Sequence, residues 1–351
     1  MKYNIDKMAI ASKTVVDKAG VVLATSTERT KEYVEALQVL AQWRLKHEGI
    51  IHSFQGQVKT WLCVQPWVED SWKPVIAARI KRLPSIITKL QRFPRLKLSK
   101  VQDLVGIRVI LPSISAVRKL ESKALTHEGL ARHQDYVARP KSSGYRGIHC
   151  IYQLGETQLE LQIRTWRQHQ WATAVESIGL ALGLGDDIKT QQATKEWEDF
   201  FAMVSSVYAR KEGMPSLYPE MSDADLRQAI IELEGKLQIL NILNKNKSAR
   251  VYDSMSWCNI TWFGSGGDYH LVCSDHEEKT VKIYSYNSWN DINQYLHVGD
   301  HAEPFKKGPH QQDVALFMEG RHIQRAYPNY FMEVHPFIES TVKPMCFSRG
   351  I

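Results

Sequence analysis

The stretch Asp135 to Thr165, DYVARPKSSGYRGIHCIYQLGETQLELQIRT, decides how the rest of this chain is read. It opens into Arg139-Pro140-Lys141-Ser142-Ser143-Gly144-Tyr145-Arg146-Gly147, a basic loop of small residues with one aromatic. Such a loop can offer backbone N–H groups and cations to phosphate, and Tyr145 a face for a base. Two strand-like runs follow, Ile148 to Leu154 and Thr157 to Ile163, joined by Gly155-Glu156. Alternation in the second puts Gln158, Glu160, Gln162 and Arg164 on one face, and Leu159, Leu161 and Ile163 on the other. The hairpin thus carries one carboxylate, Glu160, beside a cation-rich loop. Metal-assisted phosphoryl transfer needs a hard oxygen ligand or base on one side and phosphate-neutralising charge on the other. A hairpin with a solvated polar face and an ordinary basic loop explains the same residues, so the reading needs support from elsewhere.

Support comes from upstream. In A-R-I-K-R-L-P-S-I-I-T-K-L-Q-R, Pro84 suits the first turn of a helix, with Arg79 and Lys81 just before it. Ile86, Ile87 and Leu90 then face a core, while Ser85 and Lys89 share the other side at i, i+4. A helix N-terminus, a hydroxyl and three cations make a phosphate site, although an amphipathic helix with a charged face reads almost as well. The basic stretch Arg92 to Lys100 leads to Asp103 and the β-branched run Val105 to Leu111, a buried strand with Arg108 inside it. A charge in so apolar a strand must find a partner or ligand. Asp103 and Glu160, from separate strands, could share a Mg²⁺ with bound phosphates, since that ion takes only one or two protein carboxylates.

Elsewhere the pattern predicts helices near Ser26 to His47, Ala116 to Leu125, Trp166 to Leu182 and Lys195 to Arg210. Residues 51 to 78 read as mixed loop and helix. His169 reads as a satisfied surface or core residue, and Trp166 and Trp171 as core. A helix from Ser222 carries Leu226, Ile230, Leu233, Leu237 and Leu240 as a seam too short for a coiled coil. Beyond Arg250 come strand-like runs at 260–263, 270–273, 281–286 and 314–318, and the aromatic cluster Arg325-Ala-Tyr327-Pro-Asn-Tyr330-Phe331.

The chain has 351 residues, 43% of them hydrophobic, enough for a full core and for two domains. A net charge of +7 leans toward an anionic partner, and equally serves solubility. The five cysteines include no C-x-x-C pair, and Cys258, Cys273, His270 and His276 lack zinc-site spacing. No apolar run is long enough to cross a membrane and no signal-peptide core is present, so a soluble, cytoplasmic protein without membrane contact is expected.

Taken in order, Arg79-x-Lys81 with Ser85 and Lys89, Asp103-Leu-Val-Gly-Ile-Arg108, Asp135-Tyr136 with Pro140-Lys141-Ser-Ser-Gly-Tyr145-Arg146, His149, and Glu160-Leu-Gln162-Ile-Arg164-Thr165 resemble the synthetase domain of the RelA/SpoT family. Four ordered motifs across roughly residues 50 to 210 are far more specific than any one of them. The resemblance implies an α/β fold, a nucleotidyltransferase-like mixed sheet flanked by helices. It implies that Arg79 and Arg108 sandwich the adenine of ATP, while Lys81, Ser85 and Lys89 hold its phosphates. Asp103 and Glu160 would bind Mg²⁺, and Glu160 would activate the acceptor hydroxyl. Tyr145 would stack the acceptor base, with Lys141, Arg146, His149 and Gln162 around it. The implied reaction is attack of a ribose 3′-hydroxyl on the β-phosphorus of ATP, moving pyrophosphate and releasing AMP.

The absence of a hydrolase-type His-Asp pair before residue 50 makes a synthetase-only chain the expectation. Thr165-Trp-Arg-Gln168-His-Gln-Trp171-Ala-Thr-Ala-Val-Glu176, with Tyr327-Pro-Asn-Tyr330, resembles the toxic small alarmone synthetases, most of all the fused toxin–antitoxin type called CapRel. That implies a toxin domain over 1–220, a linker helix over 221–247 and a small α+β, pseudo-zinc-finger-like regulatory domain over 248–351. In that type the acceptor is the 3′-CCA end of tRNA, and the modification stops translation. The C-terminal domain is an antitoxin whose Tyr327 and Tyr330 would cover the ATP site until a phage capsid protein binds it. An alarmone synthetase using GDP or GTP is the first rival, because a tyrosine stacks guanine as readily. A degenerate domain that only binds nucleotide or RNA is the second.

Overall fold

The β-branched run Val105 to Leu111 and the alternating 148–163 hairpin are met by a single mixed sheet. The computed structural model describes residues 11–26, 30–63, 73–81, 83–181, 195–245, 259–264, 267–275, 278, 280–288, 311–317, 322–328 and 337–344. Its strands are β1 (Val75–Ile80), β2 (Val105–Leu111), β3 (Leu130–Asp135), β4 (Ile148–Leu154), β5 (Thr157–Thr165), β6 (Asn259–Phe263), β7 (Tyr269–Asp275), β8 (Thr280–Tyr286) and β9 (Gln311–Phe317). They lie in the order β3-β4-β5-β2-β1-β9-β7-β8-β6. β2 runs parallel to β5 and β6 to β8; the other neighbours are antiparallel.

The helices are α1 (Lys13–Thr25), α2 (Lys31–Leu45), α3 (Glu48–Cys63), α4 (Leu83–Arg92), α5 (Ile114–Ala124), α6 (Trp166–Ala181), α7 (Lys195–Lys211), α8 (Asp223–Leu237), α9 (Ile239–Lys245) and the single turn α10 (Ile323–Ala326). Two departures from the sequence reading have local causes. The helix expected from Ser26 starts at Lys31 because Thr30 is its cap, accepting from the Tyr33 N–H, while Ser26 closes α1. The leucine seam after Ser222 breaks at Gln238, whose left-handed backbone (φ 53°) separates α8 from α9. Two strands went unread: β1, whose V-I-A-A-R-I lacks alternation, and β3, whose L-A-R-H-Q-D is polar. Pairing with β2 and β4 makes them strands.

Register sorts the side chains into two faces. Ala78, Ile80, Val105, Ile107, Val109, Leu111, Leu159, Leu161, Ile163, Ile148, Cys150 and Tyr152 all belong to one core, which α1 to α5 complete. Burying each aliphatic side chain is worth about 1.5–3 kcal/mol. The other face takes the remaining positions in rows: Arg79–Gly106–Glu160, Ala77–Arg108–Gln162–His149 and Val75–Ile110–Arg164. The residues expected to act together are therefore neighbours across strands on a face the core does not claim.

The C-terminal strands continue this sheet, because β9 pairs with β1 through Ala78–Phe317, Arg79–Leu316 and Ile80–Ala315. A second apolar cluster, Val75, Ala77, Ile110, Val272, Val281, Ile283, Ile323, Ala326 and Tyr327, joins strands from both ends of the chain under α10. A third packs α6, α7, α8 and α9 with Phe337, Ile338 and Val342. No helix among the described residues is long and apolar enough to cross a membrane.

Candidate active site

On the α4 side of the site face the centre is Asp103. Lys81, just past β1, places Nζ 2.5 Å from Oδ2, and Lys89 of α4 places Nζ 2.8 Å from Oδ1. Burial alone would raise the Asp103 carboxyl, but the two ammonium groups hold it down at about 2. Burial also pulls Lys81 below its ordinary value, outweighing Asp103. Ser85 lies half-buried in the first turn of the same helix. Lys81, Lys89 and Asp103 thus meet, with both lysines paired to the carboxylate.

On the hairpin side, Glu160 Oε1 accepts from His149 Nδ1 at 2.7 Å, and Oε2 accepts from Gln162 Nε2 at 2.8 Å. Burial works to raise the Glu160 carboxyl; the bond from His149 prevails and keeps it below its ordinary value, hence ionised. His149 Nε2 meets the Tyr145 hydroxyl, which accepts from Arg164 Nη2 at 2.7 Å. The same Nη2 donates to Gln162 Oε1 at 3.1 Å, closing a ring of five side chains. Arg164 was quoted in the motif but given no role; strand alternation, which puts it on the Glu160 face, was the available signal. Lys141 lies over the rings of Tyr136 (4.8 Å) and Tyr145 (5.3 Å), and burial lowers it from its ordinary value.

In the loop between β3 and β4, Gly144 N–H donates to Lys141 O and Lys141 N–H to Tyr145 O, so these two N–H groups are satisfied within the loop. Gly144 has φ +92°, and a Cβ there would stand 2.9 Å from Ala202 Cα, so the loop is seated on α7. Arg146 was assigned to the acceptor; instead it is 2% exposed and donates to Ser205 Oγ, the Val137 carbonyl and the Pro215 carbonyl. It pins the loop to α7 and the chain beyond it.

Arg108 finds its partner 218 residues away. It is 8% exposed, and Nη1 donates to the Ala326 carbonyl at 3.1 Å. Its guanidinium lies 5.1 Å from the Tyr327 ring centroid, and that of Arg79 lies 5.6 Å from the same ring. Tyr327 is 1% exposed. Next to it, His169 Nε2 donates to the Arg325 carbonyl at 2.9 Å, and the Arg325 guanidinium lies over Trp166. Burial and the cations Arg108 and Arg164 hold His169 well below its ordinary value, and so neutral. His169 and Trp166 thus do more than fill the core; sequence proximity held no sign of contacts made with residues 325 to 327. Tyr330 lies outside the described residues.

Chemically, the face offers two ionised carboxylates close enough to repel one another, flanked by Lys81, Lys89, Lys141, Arg79, Arg108 and Arg164. Among the described residues no three His, Cys, Asp or Glu gather as a metal site. Two carboxylates suit an ion that draws its other ligands from phosphates and water, which fits Mg²⁺.

Comparison with known proteins covers this same part of the chain. Residues 78–178 match the family described as "Region found in RelA / SpoT proteins". GTP pyrophosphokinase YjbM of Bacillus subtilis (strain 168) is 29% identical over 124 residues, 31% of this chain and 59% of the relative. GTP pyrophosphokinase of Escherichia coli (strain K12) is 28% identical over 145 residues, 40% of this chain and 18% of the relative. The chain spans less than two thirds of the length of these relatives. Among solved structures, small alarmone synthetase 1 of Bacillus subtilis bound to its product pppGpp aligns over 49% of this chain and 93% of its own, at 20% identity and a TM-score of 0.40. The strand-borne motif residues share one sheet face inside the matched stretch, so residues 78–178 carry the region found in RelA/SpoT proteins.

Proposed function

We propose that this chain is an ATP-dependent pyrophosphokinase that its own C-terminal segment holds off. The observation carrying the reading is the shared sheet face, where Asp103, Glu160, Arg79, Arg108, Lys81 and Lys89 gather within a RelA/SpoT-type region. Arg79 and Arg108 grip the adenine, and Lys81, Ser85 and Lys89 take the phosphates. Glu160, kept ionised by His149, accepts the proton of the acceptor 3′-hydroxyl. That oxygen bonds to the β-phosphorus as the bond to the α,β-bridging oxygen breaks, and AMP leaves. Asp103 and Glu160 would hold Mg²⁺, which neutralises phosphate charge when bound.

The proposed acceptor is the 3′-CCA end of tRNA, so that the activity stops translation. Arg92, Arg95, Lys97 and Lys100, all exposed beside α4, suit a polyanion, and a cover over the site suits an activity harmful to its own cell. Autoinhibition is supported by Tyr327 lying under the two guanidiniums assigned to adenine. A phage capsid protein is the proposed trigger, acting on the C-terminal region in antiviral defence. A second reading, synthesis of (p)ppGpp from GDP or GTP, is favoured by the names of the relatives. The test uses the full chain carrying Tyr327→Leu, ATP labelled at its γ-phosphate, and deacylated tRNA, GDP and GTP offered separately. Label in tRNA alone supports the toxin reading; label in the guanine nucleotides alone selects the second. No transfer with any acceptor, from this variant or from one that also carries His169→Leu, removes the enzyme reading.

A further inference from the structure

The grip on residues 322–328 is not confined to the Tyr327 ring. Two successive carbonyls, those of Arg325 and Ala326, are taken by His169 and Arg108. These are the last carbonyls of α10, a turn too short to satisfy them itself. Arg325 is held at both ends: its carbonyl by His169 and its guanidinium over Trp166, 5.7 Å from the ring centroid.

The surface that does this is preorganised. Thr165 and Gln168 cap α6 reciprocally: Gln168 N–H donates to Thr165 Oγ1 at 3.2 Å, and Thr165 N–H donates to Gln168 Oε1 at 3.1 Å. That fixes the first turn and sets the Trp166 and His169 rings 5.7 Å apart, one turn above the other. His169 is 1% exposed, and its Nδ1 has no hydrogen-bond partner among the described residues. An orphaned buried nitrogen is costly, so the ring is not placed there for packing alone.

We propose that the first turn of α6, through His169 and Trp166, is a latch that grips Arg325 and holds segment 322–328 on the site by its backbone, independently of the tyrosine ring. The proposal concerns regulation of the site described above, and its link to ATP rests on that functional reading. His169 is a positioning residue: it acts on the occupant of the site and not on reacting atoms.

Hydrogen–deuterium exchange of the full chain tests it, with peptides of 322–328 reporting the latch and peptides of β2 and β5 reporting the fold. His169→Leu keeps the bulk and removes the donor, so exchange at 322–328 rises about fivefold or more, the equivalent of one hydrogen bond. His169→Gln, which carries an N–H near the position of Nε2, restores slow exchange. Unchanged exchange at 322–328 in the leucine variant, or glutamine as loose as leucine, overturns the latch. If His169→Leu also loosens β2 and β5, Arg325→Ala decides from the other side: faster exchange confined to 322–328 supports the latch, and unchanged exchange overturns it. Affinity for a non-hydrolysable ATP analogue, measured on the same proteins, separates the two readings. A loosened segment with tighter analogue binding supports both; a loosened segment with unchanged binding keeps the latch and removes Arg79 and Arg108 from the nucleotide assignment.

Discussion

Arg108 shows how one residue in a sequence poses a question that only another part of the chain answers. A guanidinium within V-G-I-R-V-I-L requires a partner, and the partner is the Ala326 carbonyl together with the Tyr327 ring. Tyr327→Leu keeps the apolar contact with the cluster beneath α10 and removes the π face. Losing two cation–π contacts weakens the docked state by about 1–2 kcal/mol, so calorimetry should show an ATP analogue binding roughly tenfold more tightly. His169 sets a pH dependence. Its surroundings are Arg108 from β2, Arg164 from β5, Glu176 from α6 and Arg325 from the docked segment, so its protonated form is disfavoured in the folded chain. Below the ordinary histidine value of 6.5 the unfolded chain takes up a proton that the folded chain refuses. Stability is therefore full above that value and declines as pH falls beneath it. Buried His47, also lowered, adds to the decline with the same sign. Urea midpoints at pH 7.5 and 5.5 should differ, and by less in His169→Leu, which lacks the His169 share.

Elements were legible where one face is apolar. β2, β4, β5, α5 and α7 fall within a residue or two of the sequence reading, because a core face of Val, Ile and Leu imposes its own period. β1 was not legible: Ala77, Ala78 and Arg79 carry no strand signature, and what makes them a strand is β2 on one side and β9 on the other. The loop between β3 and β4 was legible as a loop, but its anchoring was not. Its basic and small residues suggest phosphate binding, whereas Gly144 and Arg146 seat it against α7. Gly144→Ala must strain a left-handed backbone and push a Cβ toward Ala202 and Ser205. It should cost roughly 1–3 kcal/mol in chemical denaturation and displace Tyr145, lowering turnover more than a surface substitution of equal stability cost.

At the scale of the whole molecule, β9 on β1 and Tyr327 beneath two guanidiniums join the ends of the chain at the candidate site. If docked segment and nucleotide compete for Arg79 and Arg108, each must weaken the other by the same factor. Saturation with an ATP analogue should therefore speed exchange at 322–328; unchanged exchange would sink direct competition. The sequence by itself determined the face on which the candidate site residues lie. Ordered motifs, period-two alternation and the placing of Asp103 and Glu160 on separate strands are local properties, set by residue type and spacing. Only the tertiary structure decided what occupies that face and which cations remain for a ligand. Arg146 went to a loop anchor, Arg108 and His169 to the carbonyls of residues 325 and 326, because a buried donor takes whichever acceptor folding brings to it, and no spacing along the chain encodes a partner 156 or 218 positions away.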